Sequence, residues 1–443
     1  MTFMWALNGS LKVNFHENFI CYQKFNKLMS VVGRNKIALL INGTFLAMSI
    51  IAPLVSLPLL SRVFGQEVFG QYLLIISLSS FIVLFCDFGF NVSSAKRMAL
   101  ANEDATLRSE IIWTTTILKL ILVGSAIIGY LVLAHSVSSY SYLKQSLLPV
   151  LLYLVSLSMQ PVWYFIGIQK IALNSVLISF GRIVPLFFLV SYVNGPEDFN
   201  LAITIQSVGL FISCAVSYVY IASRETILLK MPSVAYLIRY LKEDYLLFLS
   251  NIMVGVYASL NSVLLGVNSN FNEVATYAGI ERVFKTLESF ISSSGTIFFA
   301  SISRKMRDKP SAGAVDINHI VRFYCFVGFS IVVITSLFGS DLLRLWYGPD
   351  FNYDSPSLWI LMFLPLFGSL ATAWGNLGLL NFGHNAQFFR IIFFGAIVNI
   401  IVISLTSTQY GATGAAVSIL TATVSIAFLM WHYLRKHLDA TRI

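Results

Sequence analysis

Apolar residues fill this chain in long blocks, and short polar breaks separate them. Twelve such blocks lie near 37–60, 70–91, 112–135, 147–168, 172–193, 202–222, 244–266, 281–302, 323–340, 357–380, 387–408 and 412–433. A bilayer core of about 30 Å asks for roughly 20 apolar residues per helix, which the blocks supply. Within lipid a backbone must meet its own hydrogen-bonding needs, and a helix does so inside one segment. The pattern predicts an all-α, polytopic membrane protein with twelve transmembrane helices.

The breaks between blocks alternate in charge. One set, in the segments 12–36, 96–108, 170, 224–242, 304–322 and 435–442, holds 21 of the 29 Lys and Arg residues. The alternate set holds only Arg62, Lys144 and Arg344. By the positive-inside rule the first set is cytoplasmic, which puts both termini inside. A missed or invented helix would scramble this alternation beyond the error. The net charge of +9 is thus accounted for by loops that hold orientation and face anionic lipid, and no nucleic-acid partner is expected.

The longest basic break follows the sixth block and divides the chain into two groups of six, the layout of two-part transporters. The expected organisation is a cytoplasmic N-terminal tail at 1–36, a first six-helix lobe at 37–222, a linker at 223–243, a second lobe at 244–433 and a tail at 434–443. "FGQEVFGQY" (Phe64–Tyr72) precedes the second block and "NFNEVATY" (Asn270–Tyr277) precedes the eighth. Both place Glu-Val shortly before Tyr, a faint parallel repeat. Met29 opens a short basic lead into the first block and is a candidate start. Residues 1–28 lack the uninterrupted apolar core of a secretory signal. Cys21, Cys86, Cys214 and Cys325 show no metal or redox spacing and read as packing residues.

No break is long enough to form a domain. P-loop, metalloprotease and dinucleotide-binding patterns are missing from the sequence, so neither a cofactor nor an enzymatic role is expected. A membrane-embedded glycosyl-transfer enzyme would need a large catalytic loop.

Function is then sought among ionisable residues inside the spans, which are costly and face a partner or a water-filled cavity. They are Asp87, Lys119, Arg182, Glu281, Arg282, Lys285, Glu288 and Arg390. In the eighth span Glu281, Arg282, Lys285, Thr286, Glu288, Ser289, Ser292 and Ser293 share one arc at 100° per residue, as expected of a lumen-lining face. Pairing of Glu281 with Lys285 at i, i+4 is the plainer alternative. Arg182 sits mid-span, too deep to snorkel easily, whereas Arg390 is within reach of the surface. Asp87 and Lys119 can pair with each other across the second and third spans or act separately. Trp113, Trp163, Tyr192, Trp346 and Trp359 read as belt residues.

Six segments together carry a resemblance: "SLPLLSRVFGQEVFGQY" (Ser56–Tyr72), "DFGFNVSSAKRMA" (Asp87–Ala99), "QPVWYFIGIQK" (Gln160–Lys170), "EVATYAGIERV" (Glu273–Val283), "LLRLWYGPDF" (Leu342–Phe351) and "YGATGAAVS" (Tyr410–Ser418). The chain resembles O-antigen flippases, the lipid-linked oligosaccharide translocases of the polysaccharide exporter family, from about Lys36 to Lys436. These belong to the multidrug/oligosaccharidyl-lipid/polysaccharide exporter superfamily. The resemblance implies two six-helix lobes around a cationic central cavity in the bacterial inner membrane. It implies an undecaprenyl-diphosphate-linked oligosaccharide as substrate, moved by alternating access. Membrane lipids and the O-antigen polymerase machinery are the implied partners. On this reading Arg182, Arg282, Lys285 and Lys119 contact the diphosphate or glycan, and Glu288, Asp87 and Glu281 are the carboxylates available for ion coupling. A multidrug or toxic-compound exporter of the same superfamily is the alternative; handling cations, it should favour acidic cavity residues.

Overall fold

The computed structural model describes residues 36–101, 104–136, 144, 146–228, 232–268, 270–308 and 310–440. The expected N-terminal tail, with Cys21 and Met29, lies outside the described residues. Every long element among the described residues is a helix. In chain order these are α1 (Lys36–Asp87), α2 (Phe90–Leu100), α3 (Ala105–Ser136), α4 (Leu147–Met159), α5 (Val162–Gly167), α6 (Ile171–Tyr192), α7 (Phe199–Arg224), α8 (Val234–Asn268), α9 (Phe271–Asp308), α10 (Pro310–Tyr347), α11 (Pro356–Leu361), α12 (Leu364–Thr372) and α13 (Asn385–Ala440). A π-helical turn, Ala373–Leu379, continues α12.

Length and composition alone qualify eight helices as membrane-crossing. Two of these cover 50 and 51 residues and each holds two crossings. Helices α8 and α9, of 35 and 38 residues, are long enough to supply two further crossings. The result is twelve transmembrane helices in two lobes of six around a central cavity.

The doubled helices turn at glycines. Gly65 interrupts α1 with φ 68° and Gly411 interrupts α13 with φ 49°. No atom lies within 4 Å of the place a Gly65 side chain would take, so the need there is conformational. At Gly411 the space is also taken, by the Glu273 carboxylate. That carboxylate accepts the Ala412 N–H at 2.6 Å and caps the second leg of α13.

The faint repeat becomes a physical contact between the lobes. Gln66 Nε2 donates to the Asn272 carbonyl at 3.2 Å and to Thr276 Oγ1 at 3.0 Å, and Gly70 lies against the Phe271 carbonyl. Beside this seam, Arg62 Nη2 donates to the Leu345 carbonyl at 2.6 Å and Phe69 meets Tyr347 at a ring separation of 5.9 Å. The main apolar core, with Phe64, Tyr72, Leu265, Tyr277, Phe284 and Tyr347, runs through both lobes here, away from the basic loops.

On the basic side the link between lobes is docked onto the first one. Ser109 and Trp113 donate to the Leu228 carbonyl at 3.1 and 3.0 Å. Arg108 pairs with Glu225, which also accepts from Tyr164 at 2.6 Å. Helix α8 starts at Val234, well inside the expected linker. Its first turns are clasped by Arg97, which donates to both oxygens of Asp244 at 2.9 and 2.8 Å and stands 3.7 Å over the Tyr240 ring. Trp163 is fully buried beside Tyr164 and Phe165, which corrects its reading as a belt residue. Its depth in the sequence said nothing about which side it faces.

Candidate functional site

Between the lobes lies a cavity of about 450 Å³, within the size range of small-molecule sites. Helices α1, α4, α6 and α7 of the first lobe and α8 and α9 of the second form its wall. Pro53 and Pro58 interrupt the hydrogen bonding of α1, and Pro185 that of α6. Gly181 and Gly209 let α6 and α7 cross in direct contact, since a side chain at either would run into the other helix. That crossing aims the next residue, Arg182, into the cavity.

Helix α9 supplies the other charges. Glu281, Arg282, Lys285, Thr286 and Ser289 line the cavity. Arg282 reaches the opposite lobe, where its Nη2 donates to the Leu73 carbonyl at 3.3 Å and to Ser77 Oγ at 3.2 Å. Lys285 Nζ lies 2.8 Å from Glu281 Oε1, the i, i+4 pair. Glu281 Oε1 also accepts from Tyr277 at 3.0 Å. Asn261 donates to the Tyr277 hydroxyl at 3.2 Å and to Asn399 Oδ1 at 3.2 Å, and Asn399 returns a 2.7 Å bond to Asn261 Oδ1. Ser418 closes the series with a 2.6 Å bond to Asn399 Oδ1. A satisfied polar chain thus runs from the cavity wall into the interior of the second lobe, where low dielectric strengthens each bond.

The remaining candidates lie elsewhere. Lys119 is 2% exposed, 3.4 Å from Asp87 Oδ1, and donates to the carbonyls of Ser158 and Gln160 at 3.1 and 3.4 Å. The chain breaks between α4 and α5 at Gln160–Pro161, and the break frees those carbonyls from helical pairing. Lys119 and Asp87 therefore brace a helix break inside the first lobe and take no part in lining the cavity. Glu288 turns its carboxylate onto Gly368 of α12. It stands about 100° around the helix from Ser289, at the edge of the polar arc. Arg390 is exposed near the start of α13.

Sequence reasoning missed Tyr72, Tyr153 and Gln206, which line the cavity from the first lobe. It also missed the pair Asn261 and Asn399; amide side chains in the middle of apolar spans were the available signal.

The family described as "Polysaccharide biosynthesis protein" matches residues 34–306, more than half of the chain. Two relatives share the name "Putative O-antigen transporter". The one from Escherichia coli (strain K12) is 22% identical over 91% of this chain and 98% of its own length. The one from Shigella dysenteriae is 24% identical over 85% and 94%. Among solved structures, an inward-facing multidrug resistance MATE family transporter of the MOP superfamily matches with TM-score 0.73 and 13% identity, over 91% of this chain and 98% of that one. Lipid II flippase MurJ in an inward closed conformation matches with TM-score 0.73 and 13% identity, over 89% and 87%.

Proposed function

This chain belongs to the polysaccharide biosynthesis protein family, and on that footing we propose that it is a flippase and not an enzyme. It turns undecaprenyl-diphosphate-linked O-antigen repeat units from the cytoplasmic to the periplasmic leaflet of the bacterial inner membrane. One observation carries the reading: Arg182 from one lobe and Arg282 and Lys285 from the other converge on a single cavity. A diphosphate bearing sugars cannot cross hydrocarbon unaided. Guanidinium groups bind phosphate oxygens through paired, charge-assisted hydrogen bonds, and a lysine adds a compact charge. The polyprenyl tail stays in lipid.

Both termini face the cytoplasm, and the lobes 37–222 and 244–433 rock about the cavity. Arg282 joins the two movements, because the group that would hold the phosphate also bonds to Leu73 and Ser77 across the seam. With no nucleotide site in the sequence, a proton or sodium gradient, or consumption of the product by the polymerase machinery, supplies the driving force. Glu281 is the carboxylate that reaches the cavity.

The fold is shared equally with a multidrug transporter, so export of cationic compounds is the second reading. The cavity argues against it. Its lining carries three cations and one carboxylate, and Lys285 already neutralises that carboxylate. Reconstitution in vesicles decides between them. Fluorescent lipid-linked oligosaccharide placed in one leaflet should appear in the other only when the protein is present, and cationic dyes should not compete.

A further inference from the structure

The cavity wall divides by chemistry as well as by charge. Arg282 and Lys285 stand on the second lobe, while the first lobe contributes Arg182 and, among its apolar lining, six neutral polar residues: Ser56, Tyr72, Ser77, Ser80, Tyr153 and Gln206. The hydroxyl hydrogens on this wall are largely committed. Ser56 donates to the Pro53 carbonyl at 2.7 Å and Ser80 to the Ile76 carbonyl at 2.8 Å. Facing them, Thr286 and Ser289 donate back to Arg282 and Lys285 carbonyls at 2.7 and 2.8 Å. A hydroxyl has one hydrogen and two lone pairs. These four therefore offer the cavity acceptors, which suit a ligand that donates hydrogen bonds and not a phosphate.

Gln206 is different. Its Oε1 accepts from the Tyr72 hydroxyl at 2.8 Å, and its Nε2 points to the Ala202 carbonyl at 3.5 Å. The two neighbours fix the amide's orientation, since the reverse would set oxygen against carbonyl oxygen. An amide has two hydrogens on nitrogen and two lone pairs on oxygen. One N–H and one oxygen lone pair remain beyond these two bonds, a donor and an acceptor of the kind that hydroxyls on a sugar ring match. Tyr72 is 2% exposed and fixed within the apolar core, so the amide is held by a rigid support.

We propose that Gln206 reads a sugar ring of the lipid-linked substrate by bonding two neighbouring hydroxyls, with Tyr72 as the residue that positions it. The neutral polar residues of the first lobe then recognise carbohydrate while Arg182, Arg282 and Lys285 hold the diphosphate. This rests on the flippase reading and adds to it the residue that sets sugar preference.

The test uses the full-length protein in lipid nanodiscs with two probes, the lipid-linked oligosaccharide extracted from the host strain and undecaprenyl diphosphate without sugar. Wild type should bind the first about tenfold more tightly. Gln206→Leu, similar in shape but without the amide, should erase that margin, a loss on the order of tenfold. Tyr72→Phe should remove about half of it on the same logarithmic scale. Binding of undecaprenyl diphosphate should stay at the wild-type level in both variants, which also shows that they are folded. Equal loss for both probes, no loss for either, or a wild type that does not distinguish them would overturn the assignment. Wild type that binds neither probe would instead remove the flippase reading, and this inference with it.

Discussion

Gly70 and Phe271 meet across the seam between the lobes so closely that a methyl group at position 70 would overlap the Phe271 carbonyl. The two residues lie in the two copies of the faint repeat, and only hydrogen fits between them. Gly70→Ala should force the seam apart and favour the state open on the side away from the basic loops. The expected outcome is lost transport at near-normal protein level, with a cysteine at position 66 labelled faster by an impermeant maleimide. Unchanged labelling would show that the seam stays shut without the close contact.

Arg182→Ala and Lys285→Ala should each abolish surface polysaccharide without lowering protein level. Lipid-linked precursor should accumulate on the cytoplasmic side. Retained transport in both variants would dismiss the cationic cavity.

Lys119 should behave differently. Removing one partner of a buried ion pair leaves the other uncompensated, at a cost of about 3–5 kcal/mol. Lys119→Ala should therefore lower the melting temperature and the yield of purified protein. Replacing both partners, Lys119→Met with Asp87→Leu, should recover much of that loss. A wild-type melting temperature in Lys119→Ala would return this residue to the substrate-binding set.

Glu281→Gln keeps the hydrogen bond from Tyr277 but removes the charge that holds Lys285. Transport in reconstituted vesicles should no longer respond to an imposed pH gradient. Glu288→Gln, whose side chain faces α12, should respond as wild type does. The opposite pattern would assign coupling to Glu288.

The clasp on the basic side gives a pH prediction with a definite sign. Hydrogen bonds from Arg239 and Arg97 hold the Glu243 carboxyl below its ordinary value of 4.5. A lowered value favours the folded state above the ordinary one, and the benefit fades as pH falls through the folded value. Thermal stability should be level from neutral pH to about pH 5 and decline below it. Glu243→Gln should flatten part of that decline; an identical profile would show that Glu243 takes no part in it.

Run lengths made the twelve crossings legible, because lipid fixes how many apolar residues a helix needs. Helical periodicity likewise brought Arg282, Lys285 and Thr286 onto one face. Glu288 was grouped with them because an arc drawn at 100° per residue has no sharp edge, and about 20° of rotation beyond Glu281 turned it to α12. Lys119 and Trp163 show the harder limit. Hydropathy reports how deep a residue lies and not which neighbour it meets. Lys119 is held by carbonyls that a proline some 40 positions away sets free. Asn261 and Asn399 are 138 residues apart, and no local pattern connects them. Gln206 stood alone in an apolar span, without periodic companions to mark a face.

The docked start of α8 bears on how the machine moves. Between the Arg97 clasp and the amide pair at Asn261 the chain is one unbroken helix with no slack, anchored in one lobe and built into the other. It resembles a connecting rod more than a tether. Any change in the angle between the lobes must bend this helix or tear it from one of its bearings. Gly255, packed against Leu84 midway along, stands where such flexure would concentrate. Two glycines inserted near that point should leave each lobe intact and let one move without driving the other.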